Sequence, residues 1–187
     1  MANDKPTSTA STPTKKKATK VAPKKKKAGK VPENAILVPV DFYPHSEEAV
    51  KFAATMAGLM NTPLIVLHVV HDPVDVPGFY IHEEKKERRL RRMEDVAAEM
   101  VNEFIQKMSD QNPDLPAIKN ASTKLVVGLP VTRILEVVEQ LRPKCVVMGS
   151  QGRSGLSQLF VGSTAEKVVH LCPVPVTIVK SEHFLTS

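Results

Sequence analysis

The chain contains no Trp, and aromatic residues make up only 4% of it. A core built from such a sequence must be aliphatic, of Val, Ile, Leu, Ala and Met. No run reaches the roughly 18 apolar residues that a membrane span needs. The first residues lack the apolar stretch of a secretory signal. They are rich in Lys but have no Arg and no helical apolar face, which argues against a mitochondrial presequence. Cysteine is scarce: Cys145 and Cys172 each lie in a short apolar run. Two distant cysteines without His clusters make no metal site, and they read as buried, reduced thiols of a cytosolic protein. Two phosphate-binding signatures are also missing. There is no Gly-x4-Gly-Lys-(Ser/Thr) loop and no Gly-x-Gly-x2-Gly fingerprint.

What is present is unevenly spread. Of 187 residues, 42% are hydrophobic, enough for one domain with an appendage. Residues 1–33 hold ten Lys against Asp4 and Glu33, a net charge of +8. With the whole chain at +6, the remainder carries −2. The basicity therefore belongs to a low-complexity tail that is expected to be disordered, because it has too little apolar surface to offset its ordering entropy. The expected organisation is this tail, a soluble domain over 34–181, and a short end at 182–187.

Within the domain, strand and helix signals alternate. Ile36 to Val40 is a short apolar run ending at Asp41. Ser46 can cap a helix reaching about Met60, with Ala49, Phe52, Ala53, Met56 and Ala57 on one face. Leu64 to Val70 is a second strand. A loop with Pro73, Pro77 and Gly78 leads to a long helix from about Glu83 to Ser109, its period kept by Leu90, Met93, Val96, Ala97, Met100, Val101, Phe104 and Met108. A third strand covers Thr123 to Gly128, and Pro130 opens a helix over about 131–142. Cys145 to Met148 is a fourth strand. A polar loop to Gly162 precedes a helix over 164–171, and Val174 to Val179 is a fifth strand. Alternation of this kind, with nearly continuous apolar strands, implies an α/β fold: a doubly wound parallel sheet with helices on both faces. Ligands of such sheets bind beyond the carboxyl ends of the strands. Here those ends are Asp41, Val69–Val70, Gly128 and Gly149.

The segment after the fourth strand carries most of the chemistry. Gly149 and Gly152 allow close backbone approach to a ligand, and consecutive N–H groups there can form an anion nest. Gly162, Ser163 and Thr164 open a helix whose first N–H groups suit a phosphate. The hydroxyls of Ser150, Ser154, Ser163 and Thr164 and the charge of Arg153 can add to that. Ser163 has a second reading, because Ser163-x-x-Glu166 is a capping box. Asp41 likewise reads either as an acceptor for ribose hydroxyls or as a turn residue before the helix.

The spacing Gly149-x2-Gly152-x9-Gly162-Ser163 resembles the universal stress protein family, of the ATP-binding kind. The similarity runs over about residues 33–181. It includes Ile36-Leu37-Val38-Pro39-Val40-Asp41, Leu67-His68-Val69, Val127-Gly128-Leu129-Pro130, Val147-Met148-Gly149-Ser150 and Cys172-Pro173-Val174-Pro175-Val176. The resemblance implies an adenine-nucleotide alpha-hydrolase-like sheet of order 3-2-1-4-5 that binds ATP with Mg²⁺. It would place Pro39, Val40 and Asp41 at the adenine and ribose, and Val69 against the adenine. Met148 and Gly149 would border the ribose. Gly152, Arg153, Gly162, Ser163 and Thr164 would cradle the phosphates. Gln151 stands where many relatives have His. The resemblance also implies a homodimer paired through the last strand, whose Pro175 suits an edge position.

Catalysis is not expected beyond slow ATP hydrolysis by a bound Mg²⁺ and a water. The loop Phe42-Tyr43-Pro44-His45-Ser46 has neither the His-x-Gly-His pattern of nucleotidyltransferases nor the Ser-Gly-Gly loop of ATP pyrophosphatases. His45 and His68 read as packing or surface residues, with no nucleophile–base pair. The expected function is a cytoplasmic, nucleotide-dependent regulatory module. The alternative rests on the tail, whose ten lysines without interleaved aromatics suit neutralisation of DNA, RNA or an anionic membrane surface, or simply solubility. The mixed-sign run from Glu83 to Arg92 reads as a solvated helix face.

Overall fold

A computed structural model describes residues 34–71, 83–151 and 161–180. Its strands are β1 (Ile36–Val40), β2 (Leu64–Val70), β3 (Ser122–Val127), β4 (Cys145–Gly149) and β5 (Val176–Val179). Its helices are α1 (Pro44–Leu59), α2 (Glu83–Gln111), α3 (Pro116–Lys119), α4 (Pro130–Leu141) and α5 (Ser163–Leu171). The strands form one sheet in the order β3-β2-β1-β4-β5, and every pairing is parallel. This is the doubly wound architecture that the alternation of strand and helix signals implies. The loop with Pro73, Pro77 and Gly78, the tail at 1–33 and the end at 182–187 lie outside the described residues.

The period-2 geometry of a strand divides the core in two. Ile36, Val38 and Val40 of β1 point into a cluster with Ala49, Ala53 and Ala57 of α1 and Phe104 and Met108 of α2. Leu37 points the other way, into a cluster with Ile134, Val137 and Val138 of α4 and Val168 of α5. Full burial of an Ile or Leu side chain contributes roughly 1.5–3 kcal/mol, so the central strand alone pins both layers. Burial pushes the Cys145 thiol above its ordinary pKa, in keeping with a structural, protonated cysteine. Cys172 is only half-buried.

Five details differ from the sequence expectations. α1 begins at Pro44, with Tyr43 as its N-cap, so Ser46 lies inside the first turn and does not cap the helix. Proline fits the first helical position because its missing N–H would have no partner there. The buried face of α1 is Ala49, Val50, Ala53, Ala54 and Ala57, while Phe52 is exposed. α2 buries Ala97, Val101, Phe104 and Met108, while Val96 and Met100 face outward. β5 begins at Val176, because Pro175 gives the sheet only its carbonyl, to Val146 N–H at 2.9 Å. The short helix α3 was not foreseen; it seats Ile118 in the core.

Candidate functional site

β1 pairs with β2 along its whole length, up to Val40 opposite His68. Its pairing with β4 stops at Leu37 opposite Val146. Beyond that point β1 and β4 part, at the place where strand order reverses, and a cleft of about 330 Å³ opens there. Pro39, Val40, Asp41, Val69, Met148, Gly149, Gly162, Ser163 and Thr164 all line it. The structure therefore brings these nine candidate residues together. Gly152, Arg153 and Ser154 lie outside the described residues.

Gly128 and Ser150 do not line the cleft. Gly128 has φ +143, and Arg133 folds over it. The Arg133 Nε donates to Val127 O at 2.7 Å, and a Cβ on residue 128 would sit 2.6 Å from that nitrogen. Its glycine serves the turn into α4. Ser150 is buried, and its main chain closes the base of the polar loop. Its N–H donates to Val179 O and its carbonyl accepts from Gly162 N–H, each at 2.8 Å. Its hydroxyl lies 3.4 Å from His45 Nδ1, a long contact away from the cleft lining.

Gly149 lines the cleft, but a second demand on it comes from the opposite side. A Cβ there would meet the His45 carbonyl oxygen at 2.7 Å and the His45 carbonyl carbon at 2.8 Å. The start of α1 packs directly on the end of β4, which requires a residue without a side chain.

Asp41 sits at the mouth, held by its own turn. Its Oδ1 accepts from the Ser46 hydroxyl at 2.5 Å and from the Tyr43 N–H at 3.2 Å. The Asp41 N–H in turn donates to Ser46 Oγ at 3.0 Å. Among the described residues, Oδ2 takes no hydrogen bond and is left as an acceptor. Ser46, only 4% exposed, completes this wall of the cleft. The sequence reading gave it a capping role; its place five residues after Asp41 was the signal for the one it has.

At the far side, α5 starts from Gly162 with no side-chain cap. Ser163 is the first helical residue, so the capping-box reading of Ser163 and Glu166 does not hold. A box needs the serine at the N-cap, and that place is taken by glycine. The first N–H groups of a helix have no intrahelical partner, and they point toward an incoming acceptor. Apolar side chains outside the candidate site residues, Leu67, Ile134 and Ala165, line the cleft as well. Ile134 and Ala165 come from ordinary helix positions that carry no local signal. His68 also lines it, although its ring packs on Phe42 with centroids 4.3 Å apart.

The Usp family model, described as the universal stress protein family, matches residues 34–180. A universal stress protein of Thermus aquaticus, from the QAH/OAS sulfhydrylase 3′ region, is 30% identical over 145 residues, covering 78% of this chain and 97% of the relative. The solved structure of universal stress protein UspA from Lactobacillus plantarum superposes with TM-score 0.63 at 22% identity, over 80% of this chain and 99% of that one. A universal stress protein solved in complex with cAMP superposes with TM-score 0.53 at 18% identity, over 79% of this chain and 97% of that one. These structures share the five-stranded, adenine-nucleotide alpha-hydrolase-like fold. The chain belongs to the universal stress protein family.

Proposed function

We propose that the cleft binds ATP and that the protein acts as a cytoplasmic, nucleotide-dependent regulatory module. The observation that carries this reading is the chemistry of the cleft lining. Among the described residues it combines a carboxylate oxygen that takes no hydrogen bond, Asp41 Oδ2, with apolar side chains and a helix start that has no side-chain cap. These suit sugar hydroxyls, base and phosphates respectively. Asp41 Oδ2 would accept ribose hydroxyls, and Val69 would face the adenine. The start of α5, with Gly162, Ser163 and Thr164, would receive phosphate. Gly152, Arg153 and Ser154, outside the described residues, would add backbone N–H groups, charge and a hydroxyl for the phosphates. A volume of about 330 Å³ falls in the range of ordinary ligand pockets. The structural relative in complex with cAMP is consistent with an adenine nucleotide.

Among the described residues, no three His, Cys, Asp or Glu are grouped to hold a metal. Mg²⁺ would therefore arrive on the nucleotide phosphates, as it does where a protein offers no cage of its own. Hydrolysis would at most be slow, by the bound Mg²⁺ and a water. β5 is an outer strand whose four residues are all half-buried in the single chain. A second copy paired along that edge would cover them and give a homodimer.

The test is a calorimetric titration of the full chain with Mg-ATP, beside the double variant Gly152→Val and Gly162→Val. Binding that is lost in a folded variant supports the reading. No binding by folded, nucleotide-free wild-type protein overturns it.

A second reading concerns the tail. β1 is entered at Asn34, at the opposite end of the sheet from the cleft. The ten lysines of residues 1–33 would hold a polyanion by neutralising its phosphates. Removal of residues 1–33 should abolish salt-sensitive DNA binding and leave ATP binding intact. Equal DNA binding without the tail would refute it.

A further inference from the structure

The peptide joining Val40 to Asp41 is held by a side chain at each of its polar ends. The Val40 carbonyl accepts from His68 Nδ1 at 2.9 Å. A carbonyl cannot donate, so Nδ1 carries the proton whether the ring is neutral or charged. The Asp41 N–H donates to Ser46 Oγ at 3.0 Å, and the Ser46 proton is directed onto Asp41 Oδ1 at 2.5 Å. This grip falls where the sheet no longer supplies one on the β4 side, since β1 and β4 are paired only through Leu37 and Val146.

The clamp is itself braced from behind. The His68 ring packs on Phe42, and Phe42 packs edge-on against Phe104 of α2 at 5.5 Å. Phe42 has φ +67, a conformation that a bulky residue adopts only when its surroundings impose it. The chain thus turns sharply straight after Asp41, and the first turn of α1 brings Ser46 back to the carboxylate.

We infer that Ser46 and His68 are positioning residues of the cleft, fixing the Val40–Asp41 peptide so that Asp41 Oδ2 meets the sugar hydroxyls of a bound nucleotide. The inference rests on the nucleotide reading above. It goes further in making sugar recognition depend on two residues that act through Asp41. Ser46 acts by sharing its hydroxyl between the Asp41 N–H and Oδ1. His68 acts from the neighbouring strand β2 through a carbonyl.

The test compares Mg-ATP with Mg-2′,3′-dideoxy-ATP, titrated into the full chain. Hydrogen bonds from sugar hydroxyls to a carboxylate should make ATP bind at least about tenfold tighter than the dideoxy nucleotide. Ser46→Ala should weaken ATP by about tenfold and the dideoxy nucleotide by less than about twofold, closing the gap. In an Asp41→Asn background the same substitution should change neither affinity by more than about twofold. His68→Phe keeps a ring against Phe42 and removes the donor; it should narrow the gap by roughly threefold. It also decides the matter if Ser46→Ala does not fold.

A folded Ser46→Ala or His68→Phe protein that keeps the full gap would overturn the inference and leave the nucleotide reading standing. So would equal losses for both ligands, which would mark a merely structural role. Equal binding of the two nucleotides by the wild type would remove Asp41 from sugar recognition, and the inference with it. Failure of the wild type to bind either would remove the nucleotide reading itself.

Discussion

Two helices begin at the cleft end of the sheet, and they begin differently. Neither N-cap residue makes a side-chain cap, but at α1 Asp41 Oδ1 takes the N–H of the N-cap residue Tyr43, and Ser46 ties the first turn back to the strand. The start of α5 has a glycine at its N-cap, and among the described residues no side chain caps it. Both ends carry the same partial positive charge. At α1 that charge is answered within the chain, so the end can serve as a rigid frame. At α5 the described residues answer it only through Glu166 in the first turn, with no hydrogen bond across the helix start. A framed end and an open end on either side of one cleft are what a ligand with one anionic terminus needs.

The contrast should be sharpest at Gly149, where α1 rests on β4. Gly149→Ala places a Cβ at 2.7 Å from the His45 carbonyl, and main chain cannot swing away as a side chain can. We expect a loss of roughly 3 kcal/mol, at the upper end for overpacking. Thermal or urea unfolding would read it directly. Stability within experimental error of the wild type would mean that the start of α1 is adjustable, and the framed end would not be a frame.

Asp41→Ala comes next. It removes the acceptor of two hydrogen bonds and leaves the Ser46 proton without its carboxylate, in a place only 4% exposed. Bonds to a charged group suggest a cost of about 2 kcal/mol, measurable as a shift in urea midpoint at unchanged slope. An unchanged midpoint would make the carboxylate wholly a ligand group, not a part of the frame.

These two residues also show how far the sequence could be read. Gly149, Asp41 and the glycine-led start of α5 stand out because backbone-limited or charged residues at strand and helix ends have few explanations. The strands were legible because buried parallel strands are nearly continuous apolar runs. The start of α1 was not. Ser46 resembles a cap, but Pro44 takes the first helical position and the hydroxyl goes back to Asp41. Gly128 sits at a strand end like Gly149, yet it lies toward the edge of the sheet, beyond the gap between β1 and β4. Position along the chain gives the end of a strand, whereas facing the cleft depends on the order of strands in space. Phe52, Val96 and Met100 keep the helical period but lie at the margin of their faces. A period fixes a stripe and leaves its width to the neighbours.

Phe42 gives a smaller effect with an unusual sign. Glycine normally costs stability relative to alanine through backbone entropy. At φ +67 the order should reverse, because the left-handed region costs an alanine roughly 1 kcal/mol. Phe42→Gly and Phe42→Ala both lose the packing on His68 and Phe104, so the difference between them isolates the backbone. The glycine variant should unfold at the higher denaturant concentration. If alanine is the more stable, the turn behind Asp41 relaxes without its aromatic ring, and the frame depends on that ring.

The smallest expected effect is the one that tests the open end. Ser163 is the first residue of α5 and crosses no hydrogen bond over the helix start. Ser163→Ala should therefore leave stability within about 0.5 kcal/mol. A true N-cap serine would cost about 1 kcal/mol on the same change. Read together with a titration of Mg-ATP, the substitution separates two roles that look alike in the sequence. Unchanged stability with weakened binding would assign the hydroxyl to the ligand. Lost stability with unchanged binding would mean that α5 is capped as α1 is framed, and the contrast between the two helix starts would disappear.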